Sequence, residues 1–188
     1  LPTWEELVQH MVDALAQQDP SVDSLSNENQ PPLEILDVLY EKGYAADCKQ
    51  MLQELIDVNL EEKDLSNQSK ILQITHKVVT TNYDKALEAA FTEEQAENVE
   101  IMLPGERTIE ISSHPDEAYL FKIHGTIDHP ESCILFRADY DQLYKYDHVF
   151  LSDLKKLSAN SVLFFIGYSI NDIEIRQILI NTKELFHT

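Results

Sequence analysis

Three apolar runs that each stop at a polar cluster constrain this chain more than any other feature. They are residues 78–84 (VVTTNYD), 121–125 (FKIHG) and 164–172 (FFIGYSIND). A buried strand of a parallel sheet has this pattern when it delivers polar side chains to a site at its carboxyl end. We therefore predict an α/β domain whose ligand site is built from an Asn, a His and a Gly-x-Ser turn.

Composition excludes several classes of function. The chain has 188 residues, with 14 Lys and Arg against 34 Asp and Glu, so its net charge is −20. Such an acidic surface repels phosphate backbones, and we expect no nucleic-acid groove; an anionic ligand would be bound by backbone N–H groups and helix N-termini. No apolar run approaches the roughly 18 residues that span a bilayer, so we expect no membrane partner.

Cysteine usage argues against a metal or disulfide framework. Cys48 and Cys133 are far apart and neither has a C-x-x-C partner, which excludes a four-cysteine zinc site. Both thiols are expected to be buried, in a protein of the reducing cytoplasm. The spacing of His124, Asp128 and His129 matches no metal motif, so no metal is predicted.

The first third of the chain has a helical pattern. Thr3 and Glu6 have the spacing of a capping box. A polar loop at 21–32 separates the first predicted helix from two more, at about 33–42 and 45–59. The apolar residues that recur at helical spacing in the first helix are Leu7, Val8, Met11, Val12 and Leu15.

Strands and helices alternate after about residue 70, which favours a mostly parallel sheet flanked by helices. The runs at 99–103 and 107–111 lie on either side of Pro104-Gly105 and form a candidate hairpin. Strands are predicted at 78–81, 99–103, 107–111, 118–124, 133–136 and 162–166, the last being the strongest, and helices at 84–91, 138–145, 149–157 and after Asn171-Asp172.

Asn82 lies between a predicted strand and a predicted helix, and two interpretations remain open. Asn is a preferred helix cap, which would make Asn82 structural. Alternatively, its amide orients a ribose hydroxyl or a water in the crevice at the strand end. Asp84 could serve either purpose, and Tyr83 is expected to pack in the core.

His124 ends a predicted strand and precedes Gly125, which would allow backbone or ligand to approach closely. It is either a structural residue or a base that accepts a proton near neutral pH. Lys122, two residues earlier, is expected on the same sheet face as His124, either solvated or paired.

Gly167 and Ser169 follow the strongest predicted strand and open the last predicted helix. Gly167 would allow a tight turn, and Ser169 with the helix N–H groups could hold a phosphate or ribose oxygen. The alternative is an ordinary strand–loop–helix turn capped by Asn171 or Asp172.

Thr-Thr-Asn-Tyr-Asp, Lys-x-His-Gly and Gly-Tyr-Ser-x-x-Asp occur in this order, and with them the chain resembles a family of known domains. These are the sirtuin-like (SIR2-like) domains of bacterial anti-phage defence and NAD-degrading proteins. The resemblance implies a Rossmann-like fold that takes NAD as substrate without a metal. It implies catalytic roles for Asn82 and His124, and cofactor contacts from Thr81, Asp84, Gly125, Gly167, Tyr168 and Ser169.

The chain departs from the family pattern in two respects. The family normally begins with a Gly-Ala-Gly-x-Ser loop that cradles the pyrophosphate, and this sequence starts just past that point, so we expect it to be a fragment with further residues upstream. Two cysteines replace the four of the zinc module in the deacylases, which favours water over acyl-lysine as acceptor. We expect one NAD-binding domain over 1–188, with a helical subregion at about 3–69 and an α/β core at about 70–188.

These implications predict an NAD glycohydrolase that converts NAD and water to nicotinamide and ADP-ribose. The resemblance further implies an effector of a bacterial defence system that works as a homo-oligomer or with a defence partner protein or domain. Two alternatives remain open at this point: a non-catalytic sensor or assembly module that binds NAD or ADP-ribose, and an NAD-dependent protein deacylase.

Overall fold

Helices surround a small parallel sheet in this chain. The computed structural model describes residues 2–25, 30–57, 60, 63–104, 118–146, 152, 155–156 and 161–167. The strands are β1 (Lys77–Thr80), β2 (Val99–Met102) and β3 (Ala118–Lys122). The helices are α1 (Trp4–Ala16), α2 (Pro32–Glu41), α3 (Ala45–Ile56), α4 (Ser66–Ile74), α5 (Ala86–Ala90), α6 (Glu93–Ala96) and α7 (Arg137–Asp141), which a π-helical turn (Gln142–Tyr146) extends.

Helix α1 forms as its local sequence dictates. The Thr3 hydroxyl accepts the N–H of Glu6 at 3.2 Å, and the Glu6 carboxylate accepts the N–H of Thr3 at 2.8 Å. The predicted capping box is therefore confirmed. The five predicted apolar positions are all buried, each worth roughly 1.5–3 kcal/mol. The residues are Leu7, Val8, Met11, Val12 and Leu15.

Helices α1 to α3 pack on the segment 127–136. Their apolar faces share one cluster with Tyr83, Ile127, Leu135 and Phe136. Polar contacts reinforce this packing: the Gln53 amide donates to the Ile127 carbonyl at 2.9 Å. Within the described residues, no helix is both long and apolar enough to cross a membrane.

The described strands form a parallel sheet in the order β1-β3-β2. On one face, Leu120 packs with Leu72 of α4 and Phe91 at the end of α5. Tyr119 and Phe121 point to the other face and pack with Leu143 and Tyr144 of the π-helical turn. Helical segments thus cover both faces of a parallel sheet, and the predicted α/β, Rossmann-like class is confirmed.

The predicted strand at 133–136 is wrong, although its side chains are buried. A 3₁₀ turn at Pro130–Ser132 leads into this segment, which pairs with no strand of the described sheet. The N–H groups of Leu135 and Phe136 instead donate to the Asp139 carboxylate, each at 3.0 Å. An apolar run shows that a segment is buried, but it does not show which acceptor its backbone finds.

The predicted strand at 162–166 is also wrong in the structure. These residues have no regular secondary structure, and Val162 and Phe164 are 97 % and 77 % exposed. A strand requires a hydrogen-bonded neighbour, which hydrophobicity alone does not specify. The proposed second hairpin strand at 107–111, the helix after Asn171-Asp172 and most of the helix at 149–157 lie outside the described residues.

Candidate active site

The carboxyl ends of β1 and β3 lie side by side. Thr80 and Lys122 are partners in the parallel register, and the N–H of Ile123 donates to the Thr80 carbonyl at 2.9 Å. Beyond the strands, the N–H of Ile127 donates to the Tyr83 carbonyl at 3.1 Å. The loop that carries Asn82 (81–85, the Asn loop) therefore runs next to the turn that carries His124 (122–125, the His turn).

Asn82 does not cap the helix that follows it. Helix α5 begins at Ala86, and the Asp84 carboxylate accepts the Ala86 N–H at 2.8 Å. Asn82 is exposed in the loop, where its N–H donates to the Thr80 hydroxyl at 3.1 Å. Thr81 and Asp84 are half-buried beside it. Asp84 therefore has the helix-capping role that was one interpretation of Asn82, and the Asn82 amide does not have it.

Lys122 ties the Asn loop to β3. Its side chain is fully buried, and its ammonium donates to the carbonyls of Tyr83 at 3.1 Å and Asp84 at 2.7 Å. The same ammonium is 2.6 Å from the Glu88 carboxylate of α5. The sequence allowed a solvated or a paired lysine, and the structure shows a paired one that fixes the backbone on either side of the Tyr83–Asp84 peptide.

Tyr83 packs in the core, as the sequence predicted. Its ring belongs to the cluster formed by the N-terminal helices, and its hydroxyl donates to the Ile134 carbonyl at 2.6 Å. Burial raises the pKa of Tyr83 well above its ordinary value, so this hydroxyl stays a donor at neutral pH. Tyr83, which lies between Asn82 and Asp84 in the chain, is therefore held by the fold.

His124 lies on the opposite side of the sheet from Lys122, contrary to the expected shared face. Strand β3 ends at Lys122, and the Gly125 N–H closes a turn onto the Lys122 carbonyl at 3.1 Å. The alternation of a strand does not continue through a turn. His124 is consequently buried at 4 % exposure, with Nε2 2.9 Å from the Tyr144 hydroxyl and its ring edge-on to Tyr140.

Gly125 allows the close approach of the chain's own backbone. Its φ is +91°, and a Cβ at this position would lie 2.7 Å from the Ser132 carbonyl oxygen. The N–H of Ile134 also donates to the His124 carbonyl at 2.9 Å. The His turn and the segment 132–134 are therefore pressed together, and only glycine fits between them.

Gly125→Ala should destabilise the protein more than Gly43→Ala. Both glycines have a φ of +91°, but a Cβ at Gly43 would meet no atom of the described part of the chain within 4 Å. Gly43→Ala should therefore lower the free energy of unfolding by about 1–2 kcal/mol, the cost of placing a Cβ on a left-handed backbone. Gly125→Ala should lower it further, because a backbone carbonyl must also be displaced. Urea denaturation of the two variants measures the difference, and equal losses would show that the close approach at Gly125 costs nothing.

The third predicted strand end is only partly described. Gly167 has a φ of +64°, and among the described residues a Cβ there would meet nothing within 4 Å, so its backbone conformation is what favours glycine. Tyr168 and Ser169 lie outside the described residues. The structure thus brings together the Asn loop and the His turn, and it does not relate the Gly167 turn to either of them.

Metal-ligating side chains and thiols are the other groups of this chain that could carry chemistry. Within the part of the chain that the structure describes, no three His, Cys, Asp or Glu side chains are grouped so as to hold a metal ion. Both cysteines are buried, and burial raises the pKa of Cys48 and of Cys133 to about 12. Neither thiol is ionised at neutral pH, in agreement with their predicted role as core residues.

Sequence reasoning missed the contribution of Tyr140 and Tyr144, which line the buried side of His124. Their four-residue spacing in a predicted helix places them on one face, and their rings stack with an interplanar angle of 14°. That spacing was visible in the sequence. Its relation to His124 was not, because it depends on how the end of α7 packs on the sheet.

Comparison with known proteins identifies the family. The profile of the SIR2-like domain matches residues 76–188, more than half of the chain, starting directly before β1. The protein named NAD(+) hydrolase ThsA of Bacillus cereus (strain MSX-D12) is 29% identical over 138 residues, 70% of this chain and 28% of that protein. NAD(+) hydrolase ThsA of Cytobacillus dafuensis is 26% identical over 106 residues, 56% of this chain and 21% of that protein.

The matched part of this chain spans about a quarter of the length of these relatives. The comparisons agree with the α/β core described above, since the profile covers all three described strands and both loops of the site. On the extent of the profile match, the chain belongs to the SIR2-like domain family.

Proposed function

We propose that this chain is an NAD glycohydrolase, which cleaves NAD with water to nicotinamide and ADP-ribose. The observation that carries the proposal is the pairing of the β1 and β3 ends, which puts the Asn loop beside the His turn at the carboxyl edge of a parallel sheet. The relatives named NAD(+) hydrolase support the choice of substrate.

In this proposal the C–N bond to nicotinamide breaks through an oxocarbenium-like ribose. The electron pair of that bond leaves with nicotinamide, which departs as a neutral molecule and needs little acid catalysis. Asn82 would orient the ribose or the attacking water, and its exposed position after β1 suits contact with a ligand. His124 would accept the proton from the water or from a ribose hydroxyl as the new C–O bond forms.

The remaining predicted contacts belong to the same proposal. Thr81 and Asp84 of the Asn loop and Gly125 of the His turn would contact the nucleotide at this edge. Gly167, Tyr168 and Ser169 would hold the other end of the cofactor, and no metal takes part. We propose that residues 1–188 act as one domain, because helices α1 to α3 share a core with segment 127–136.

The role in the cell follows from the proposed chemistry. Loss of NAD is toxic, so such an enzyme suits an effector that a bacterial defence system releases on infection. We propose that assembly with further copies or with a partner protein controls it, in a cytoplasmic setting.

Asn82→Ala in the intact protein should abolish most NAD cleavage without changing its stability. The Asn82 side chain is exposed, so its loss removes no core packing. Chromatographic detection of nicotinamide and ADP-ribose measures turnover, and calorimetry with NAD measures binding. Asn98→Ala, in a turn before β2, is the matched control. Unchanged turnover in Asn82→Ala would contradict the catalytic role of Asn82. NAD binding without turnover in the parent protein would favour a sensor over an enzyme.

A further inference from the structure

The Tyr144 hydroxyl forms a hydrogen bond with the imidazole of His124. The hydroxyl oxygen is 2.9 Å from Nε2, and both side chains are buried, at 8 % and 4 % exposure. The two rings are nearly perpendicular, at 89°, with centroids 6.1 Å apart. A bond of this length between buried groups fixes the plane of the imidazole and defines which partner Nε2 has.

The fold builds this contact with a local departure from α-helical geometry. Helix α7 continues into the π-helical turn Gln142–Tyr146, and Tyr144 lies in that turn. The ring centroid of Tyr140, one turn earlier, lies 5.3 Å from that of the imidazole, with the two rings edge to face. The same ring stacks on Tyr144 with the centroids 6.1 Å apart. π-helical turns occur mostly as single insertions and often at functional sites. Two stacked rings therefore hold His124 on its buried side.

We propose that Tyr144 is a positioning residue that sets the tautomer of His124. A hydroxyl oxygen can accept a hydrogen bond from Nε2–H in both the neutral and the protonated imidazole. Acceptance by Tyr144 keeps the proton on Nε2 and therefore puts the basic lone pair of the neutral ring on Nδ1. When Nδ1 takes a proton, the bond to Tyr144 persists, so the base changes charge without losing its orientation.

The opposite arrangement has the Tyr144 hydroxyl donating to Nε2 of the Nδ1–H tautomer. Protonation of the ring would then require the hydroxyl to turn away from Nε2, since both nitrogens of imidazolium are donors. The lone pair of Nε2 would also be occupied by the hydrogen bond from the buried phenol. A base held in that way would be weak, and the two arrangements differ in a measurable property, the nitrogen that carries the proton.

The inference rests on the proposed function of His124 as a base, and its test has a readout that does not depend on turnover. Nitrogen NMR of the intact protein labelled at histidine, with His124→Asn to assign the signal, reports which ring nitrogen is protonated. We expect the Nε2–H form in the parent protein and a mixture of tautomers in Tyr144→Phe. Tyr119→Phe removes another buried tyrosine hydroxyl from the same cluster and should leave the tautomer unchanged.

Kinetics with NAD provides the second readout. Tyr144→Phe should lower kcat roughly 10- to 100-fold, the range found when a metal-binding histidine loses the partner that orients it, with little change in KM. Tyr119→Phe should keep the parent rate. An Nδ1–H tautomer in the parent protein, or a tautomer that Tyr144→Phe does not alter, would overturn the role of Tyr144. A parent protein with the Nε2–H form but no NAD cleavage would instead refute the proposed function alone.

Discussion

His124→Ala should lower the rate of NAD cleavage by about 10²- to 10⁴-fold, the range that a general base contributes. His124 follows the carboxyl end of β3, in a turn whose backbone runs next to the loop that carries Asn82. Initial rates of nicotinamide release near neutral pH measure the loss. NAD should still bind, because the cofactor contacts proposed for the Asn loop remain.

The burial of His124 requires a second variant beside alanine. At 4 % exposure, its removal leaves a gap against Tyr140 and Tyr144 that will reduce stability. His124→Asn fills most of that space and cannot accept a proton near pH 7. His129→Ala is the matched control, since that imidazole is 63% exposed on the segment that follows. A folded His124→Asn with the parent rate would exclude His124 as the base.

Lys122→Met should lower the free energy of unfolding by about 3 kcal/mol, which is the lower end of the cost of breaking a buried ion pair. The ammonium is fully buried and supplies donors to Glu88 and to the carbonyls of Tyr83 and Asp84. Glu88 Oε2 is buried and has no hydrogen-bond partner within the described residues. Its carboxylate thus depends on Lys122 for compensation of its charge.

Lys85→Met provides the comparison for Lys122→Met. Lys85 of the Asn loop pairs with Asp128, beyond the His turn, at 2.8 Å, but both side chains are largely exposed, at 42% and 55%. Exposed pairs contribute about 0–1 kcal/mol, so this variant should lie close to the parent in urea denaturation. Adding Glu88→Gln to Lys122→Met should recover part of the loss. If Lys122→Met lowered the free energy of unfolding no more than Lys85→Met does, the stabilising role of the buried Lys122–Glu88 pair would be contradicted.

Local chemistry explains which parts of the fold could be predicted. The capping box of Thr3 and Glu6 and the apolar spacing of α1 depend on residues within one or two turns, and both are observed. Strand β1, which precedes Asn82, is also observed, since its β-branched run is flanked by polar residues. In contrast, residues 133–136 are buried as predicted but bond to the Asp139 carboxylate, a partner that periodicity does not reveal.

The candidate site, too, could be predicted from the sequence only in part. Its two loops follow from apolar runs that end at Asn82 and His124, and parallel pairing brings the ends together. Asp84, and not Asn82, bonds the start of α5, because the helix begins two residues later than the sequence suggested. The turn at Gly125 then sends His124 to the opposite face from Lys122, a change of direction that a period of two residues does not predict.

The amino-acid sequence by itself determined helices α1 to α3, strands β1 to β3 and the polar residues that follow β1 and β3, because hydrophobic spacing, capping and turn residues act over a few positions. Tertiary structure alone decided the partners: Lys122 with the Asn loop, Tyr144 with His124 and the Ser132 carbonyl against Gly125. These contacts join residues seven or more positions apart and depend on the packing of helices on both sheet faces. No local pattern encodes that packing.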